Sequence, residues 1–170
     1  MAVISFSRRL HDLAEANPDR PAITCGNDMV TRRELVQLGD DLAVYLHEHG
    51  VREGDMVTIA VPNSIDWFIA YLAAWRLGAI PQPISWRLPQ RELDAIMELA
   101  DPSAVIGVDP ALVDPALAGR CLLPMGFRAP RADAGHLPDL ISPAWKAPTS
   151  GGSTGRPKLI VFGDPAALDD

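Results

Sequence analysis

One short stretch concentrates the residue types that can do chemistry. It reads Thr149-Ser150-Gly151-Gly152-Ser153-Thr154-Gly155-Arg156-Pro157-Lys158 and runs into the apolar segment Leu159-Ile160-Val161-Phe162. Ser150, Ser153 and Thr154, with Thr149 before them, carry hydroxyls that donate to anionic oxygens. Gly151, Gly152 and Gly155 let the backbone turn tightly and bring N–H groups close to an anion. Lys158 adds a full positive charge at the start of a predicted strand. Many donors, little bulk and one or two cations are what a chain of phosphates needs. The stretch is not a Walker A loop, because Gly155 is followed by Arg156-Pro157 where that pattern needs a Gly-Lys pair, and it is not GxGxxG. A Gly/Ser-rich linker is the bland alternative. It leaves the Arg-Pro-Lys and the immediate apolar strand without a reason.

Other side chains offer less. His11, His47, His49 and His136 have no metal-ligand spacing with Cys or carboxylates, and they read as surface or helix-face residues. Cys25 and Cys121 lie far apart with no CxxC, so reduced thiols are expected and neither a zinc site nor a disulfide framework is. Asp40-Asp41 and Asp169-Asp170 are adjacent pairs whose side chains point apart, and they read as solvated charges. Trp67, Phe68, Tyr71 and Trp75 share helix faces and are expected in the core or at a domain contact. Whether Trp86-Arg87 meets a neighbouring subdomain is not decided by the sequence.

The elements that must position the phosphate-type turn follow from periodicity and punctuation. A helix is expected over about Ser7 to Ala16, stopped by Asn17-Pro18. Ala22–Cys25 and Met29-Val30 flank Gly26-Asn27-Asp28, a hairpin signal. Thr31-Arg32-Arg33-Glu34 fits a capping box ahead of a helix with Leu35, Leu38, Leu42, Tyr45 and Leu46 on one side. Met56–Val61 reads as a buried strand. Asn63 or Ser64 caps a helix with Ile65, Phe68, Ile69 and Leu72 turned inward. Ala79–Ile84 is extended, and its two prolines predict an edge strand or a strand entry. Pro89 opens a helix to about Ala100, then come a strand at Ala104–Val108, a short helix near 111–117 and a strand at Cys121–Leu123. Alternating strands and helices with short connections predict an α/β fold, a mostly parallel sheet covered by helices. The chain divides into an α/β subdomain over 1–123, a Pro-rich connector over 124–148, and the phosphate-type loop with its following strand over 149–170.

Composition bounds the rest. The 170 residues carry 15 Lys+Arg against 22 Asp+Glu, a formal charge of −7. That disfavours a nucleic-acid partner and a polybasic lipid anchor. The N-terminus has no secretory pattern. The longest apolar run, Trp67 to Trp75, is well short of the roughly 20 residues needed to span a bilayer. A soluble cytoplasmic protein without a transmembrane segment is expected, and a homo-oligomer is allowed by the sequence.

Ser150-Gly151-Gly152-Ser153-Thr154-Gly155-Arg156-Pro157-Lys158 resembles the phosphate-binding signature of the adenylate-forming (AMP-binding) superfamily, which holds acyl-CoA synthetases, the adenylation domains of peptide synthetases and firefly-type luciferases. Asp19-Arg20-Pro21-Ala22-Ile23, Thr31–Leu35, Gly54-Asp55-Met56-Val57, Trp75–Pro81 and Arg87-Leu88-Pro89 resemble that family's ordered N-terminal elements, so the likeness covers essentially the whole chain. Three positions depart from the pattern. Ser150 stands where the family has Thr, Gly151 where it has Ser, and Leu159 where it has Gly. The Gly-Gly-Ser-Thr-Gly variant is similar to that of some acid:CoA ligases acting on bulky carboxylates.

The resemblance implies the N-terminal subdomain of an ATP-dependent carboxylic acid:CoA ligase, with ATP, Mg²⁺ and coenzyme A as cofactors and a carboxylic acid as substrate. It implies that Ser150, Ser153, Thr154, the N–H groups of Gly151, Gly152 and Gly155, and Lys158 hold the β- and γ-phosphates. None of them is a nucleophile or general base. The later motifs and the catalytic lysine of the C-terminal part are implied to lie outside this sequence, so the chain alone is expected to be inactive. The alternative from another class is a non-catalytic nucleotide-binding or protein-interaction module on a truncated form of the same fold. An independent NTPase is disfavoured by the failed Walker pattern.

Overall fold

The computed structural model describes residues 3–112, 117, 119–150 and 157–169. In chain order these give β1 (Val3–Ser5), α1 (Phe6–Ala16), β2 (Pro21–Cys25), β3 (Asp28–Thr31), α2 (Arg32–Glu48), β4 (Met56–Ile59), α3 (Ile65–Arg76), β5 (Ile80–Pro83), α4 (Gln90–Ala100), β6 (Ala104–Ile106), β7 (Cys121–Leu123), β8 (Thr149–Ser150), β9 (Lys158–Leu159) and β10 (Ala167–Asp169). Of the short helix expected near 111–117, a single 3₁₀ turn over Pro110–Leu112 falls within the described residues. Most of the rest lies outside them.

The centre is a four-stranded parallel sheet in the order β5-β4-β6-β7. Side chains alternate along each strand. Val57, Ile59, Ala104, Ile106, Cys121 and Leu123 face one core together with α2 and α3. Val105 and Leu122 face the other, against Ile96 and Met97 of α4. Both faces are therefore covered, which is why the strands carry few polar residues. The buried exceptions are register partners: Thr58 donates to the Gln82 side-chain oxygen across β4 and β5. Leu46, Val57, Ile59 and Leu72 are almost wholly buried. Side chains of this kind contribute about 1.5–3 kcal/mol each. Gly39 of α2 allows the closest helix contact, since a Cβ there would stand 2.6 Å from Leu72 Cδ2.

Local signals explain the element ends. Thr31 accepts from the Glu34 N–H, while the Glu34 carboxylate accepts from the Thr31 N–H at 2.8 Å, completing the capping box of α2. The Gly26 turn of the β2–β3 hairpin takes φ +61°. β5 is the edge strand its prolines predicted. Ile80 and Ile84 donate toward β4 at 2.8 and 3.0 Å, to Asp55 and Ile59, while Pro81 and Pro83 turn their hydrogen-free nitrogens the other way.

Residues 124–148 hold no regular helix or strand. They are nonetheless packed, with Ala134, Leu137, Ala144 and Ala147 buried. The Ala147 N–H donates to the Pro81 carbonyl at 2.9 Å on the outer edge of β5.

Two expectations are corrected. Phe68 does not turn inward. It is 41% exposed, because α3 is apolar almost all round and its buried arc centres on Ile69–Ala74. Asp40 and Asp41 are not solvated. Asp41 is 5% exposed and accepts from the Ala132 N–H at 2.9 Å and from Gln37 Nε2 at 2.7 Å, and Asp40 meets His11 and Arg76.

Candidate functional site

From β4 the chain passes through α3 to β5 on one side, then returns through α4 past β4 to β6 on the other. The first turns of α3 and α4 therefore part on opposite faces above the carboxyl end of β4, the position where open α/β sheets bind ligands. A cleft of about 790 Å³ opens there. Val61 and Ile84 continue β4 and β5 into its floor. Trp67 of α3 forms one wall; Leu88 and Ile96 of α4 and its approach form the opposite one, with Trp86 between. Asn63, Ser85 and Glu92 supply polar groups along the way.

Thr149, Ser150 and Pro157 line the same cleft. The ribbon that brings them is antiparallel, with Thr149 opposite Leu159 and Ser150 opposite Lys158. It continues below the strands proper, where the Ile160 N–H donates to the Pro148 carbonyl at 2.9 Å and the Phe162 N–H to the Lys146 carbonyl at 3.3 Å. Leu159 packs on Ile80, Ala144 and Ala147, which fastens the ribbon beside β5. Of the sequence-predicted site residues, Ser150 lies in the cleft and Lys158 stands exposed on β9 directly across from it. Gly151, Gly152, Ser153, Thr154 and Gly155 lie outside the described residues. The two ends of their segment, Ser150 and Pro157, both border the cleft.

Trp67 does more than fill a core. It joins the cleft to an aromatic stack along α3, lying 3.8 Å from Tyr71, which in turn meets Trp75 edge-on at 5.3 Å. Trp75 Nε1 donates to the Trp145 carbonyl at 3.0 Å. One helix thus supports both the cleft wall and the segment leading to Thr149. Burial pushes the Tyr71 phenol well above its ordinary range. Trp86 is 45% exposed at the cleft, and the Arg87 guanidinium lies 4.5 Å above its ring. Ser64 occupies the N-cap of α3 but makes no side-chain capping bond. Cleft residues such as Asn63, Ile84, Ser85 and Glu92 were not singled out from the sequence. Their common signal is position, within four residues of a strand end or in the first turn of the next helix.

Among the described residues, no three His, Cys, Asp or Glu side chains gather to hold a metal ion, and no helix is long and apolar enough to cross a membrane. The cleft offers hydroxyls, an amide, the Glu92 carboxylate and aromatic faces. Its chemistry is that of gripping and orienting a ligand.

A parallel α/β sheet covered by helices, with Ser150 and Pro157 bordering a cleft at its carboxyl end, defines the α/β class of protein. The sequence matches the AMP-binding enzyme family over residues 10–164, and the chain belongs to that family. It is 32% identical over 173 residues to enterobactin synthase component F of Escherichia coli O157:H7, covering 97% of this chain and 13% of that protein. It is also 32% identical over 178 residues to the 2,3-dihydroxybenzoate-AMP ligase of Bacillus subtilis (strain 168), covering 92% of this chain and 32% of that one. The chain thus spans a third or less of the length of these relatives. The fold matches the solved N-terminal subdomain of Klebsiella oxytoca NpsA with a TM-score of 0.77 at 23% identity, over 95% of this chain and 43% of that one.

Proposed function

We propose that this chain is the N-terminal part of an enzyme that activates a carboxylic acid with ATP and transfers the acyl group to the thiol of coenzyme A. In the first step a carboxylate oxygen bonds to the α-phosphorus. The bond from that phosphorus to the oxygen bridging the β-phosphate breaks, and pyrophosphate leaves with the electron pair. In the second, the thiol sulfur attacks the acyl carbonyl, AMP leaves, and the thiol proton goes to solvent. In this reading the hydroxyls of Ser150, Ser153 and Thr154, the N–H groups of Gly151, Gly152 and Gly155, and the Lys158 ammonium hold the β- and γ-phosphates and stabilise the charge on the leaving group. The one observation that carries it is that Ser150 and Pro157, the two ends of the glycine-rich segment, border the same cleft at the carboxyl ends of β4 and β5. Magnesium, when bound, would offset the negative charge of the phosphates. The described residues supply no carboxylate cage for it, and no step is assigned to it.

A second reading of the acceptor is favoured by the two relatives, named as an enterobactin synthase component and an aryl-acid AMP ligase. In that reading the acyl-adenylate passes to a different thiol and coenzyme A is not used.

The test is carboxylate-dependent exchange of pyrophosphate into ATP by the complete polypeptide carrying this chain, over a panel of aryl and aliphatic acids, followed by thioester formation with coenzyme A. Exchange with thioester formation supports the first reading, and exchange without it supports the second. Binding of ATP or pyrophosphate with no exchange for any acid would leave the non-catalytic nucleotide-binding module as the function.

A further inference from the structure

At the end of α3 opposite the cleft, charged side chains from three helices meet. His11 of α1 lies against Asp40 of α2, with Nε2 2.9 Å from Oδ2 and 3.2 Å from Oδ1. Its Nδ1 lies 2.8 Å from the Ser7 carbonyl oxygen. A carboxylate and a carbonyl only accept, so both contacts are satisfied together only when both ring nitrogens carry hydrogen. The arrangement is built for the imidazolium. Beyond Asp40, Nε of Arg76 lies 3.6 Å from Oδ1, with the Arg76 side chain only 12% exposed. The rest of the guanidinium donates to one segment: the Ala134 carbonyl at 3.2 Å, the Leu137 carbonyl at 3.0 Å and the Pro138 carbonyl. The next residue, Asp139, accepts from Ser5 Oγ at 2.6 Å, and Ser5 caps α1. Residues 134–139 are thus tied to α3 through Arg76 and to α1 through Ser5.

We propose that His11, Asp40 and Arg76 form an ionisation-dependent latch. The imidazolium keeps Asp40 on α1, and this leaves Arg76 free to hold residues 134–139, the segment that leads to Thr149 and Ser150 at the cleft. When His11 loses its proton, one ring nitrogen presents a lone pair to an oxygen. The α1 contact then weakens, and Asp40 draws the guanidinium across the 3.6 Å gap and off the three carbonyls.

The charges around His11 agree. Asp40 favours its proton most, the Ser7 carbonyl also favours it, and burial and Arg76 oppose it. The balance raises its pKa above the ordinary 6.5. Among the other charged groups nearby, Arg8 and Asp12 pair with each other, Arg32 of α2 donates to the Leu13 carbonyl of α1 at 2.9 Å, Asp41 is bonded to Gln37 and Ala132, and Asp139 is bonded to Ser5. A raised value means the latch is fully set below 6.5 and is lost as the pH climbs through the folded-state pKa.

The experiment is proton NMR titration of His11 together with amide hydrogen exchange over 134–148 in the intact protein, from about pH 6 to about pH 9, corrected for intrinsic exchange. His11 is expected to titrate above 6.5. Protection of 134–148 should fall about tenfold for each unit by which its folded pKa exceeds the unfolded one, while α4, on the far face of the sheet, keeps its protection. His11→Gln should flatten the pH dependence of 134–148. Asp40→Asn should bring the His11 titration down, and if that variant does not fold, His11→Gln decides alone. Titration of His11 at or below 6.5 overturns the latch, and so does the same pH-dependent exchange in His11→Gln.

Discussion

Ser150 and Lys158 stand opposite each other across the antiparallel ribbon of β8 and β9, the hydroxyl residue lining the cleft and the lysine exposed beside it. The register of the two strands sets this pairing and places the donor and the cation side by side.

This register makes the two residues separable probes of phosphate binding. Ser150→Ala and Lys158→Ala should each weaken pyrophosphate binding about tenfold or more, as expected for a bond to a charged group. Calorimetric titration measures it. Only the Lys158 variant should lose part of the salt dependence, since it alone removes a charge. Wild-type affinity in both variants would remove the phosphate role from this ribbon.

Gly107 ends β6 with φ +95°, and a Cβ there would sit 2.3 Å from the Ala60 carbonyl oxygen, just before Val61 enters the cleft. The neighbour is backbone and cannot step aside. Gly107→Ala should cost about 3 kcal/mol, combining left-handed strain with overpacking, read as a lower urea midpoint. Gly26→Ala, with open space around its Cβ, should cost less.

The capping box of α2 gives a stability prediction with a defined sign. Thr31→Ala should cost about 1 kcal/mol in urea unfolding. Its hydrogen bonds to Thr31 hold the Glu34 carboxyl below its ordinary pKa. A lowered carboxylate pKa contributes stability above the unfolded value that is lost as pH falls through the folded one. Part of the acid sensitivity should therefore disappear in Glu34→Gln.

The two thiols should differ in reactivity. Cys25 is exposed, whereas Cys121 is buried in β7 and its pKa is pushed up to about 11 by desolvation. An aromatic disulfide reagent at neutral pH should modify one thiol rapidly and the second only as the protein unfolds. Equal rates for both would mean that β7 is not held in the sheet as described.

Much of this molecule was legible because the governing interactions are local. The Thr31–Glu34 box, the Gly26 turn and the edge position of Pro81 and Pro83 depend on neighbours a few residues away. The motif at 149–158 marked a loop leading into a strand, but not the antiparallel pairing of Thr149-Ser150 with Lys158-Leu159. What stayed hidden depends on distant partners. Nothing in Asp40-Asp41 announces that His11, Arg76 and Ala132 wait 29, 36 and 91 positions away. Phe68 misled because α3 is apolar on nearly every side, which erases the periodicity that distinguishes its faces. The packing of Ala134, Leu137, Ala144 and Ala147 escaped because small residues spaced by prolines follow no helical or strand period.

The outward positions of β5 carry prolines, so that margin of the sheet exposes oxygens but lacks the hydrogens needed for a full ladder. A foreign strand arriving there finds nothing to accept from, and the sheet cannot grow by recruiting other molecules along that side. The bond from Ala147 and the packing of Ala144, Ala147 and Leu159 on Ile80 occupy that border instead. The layer therefore stops at a boundary written into its own chemistry, with the approach to the cleft laid against it.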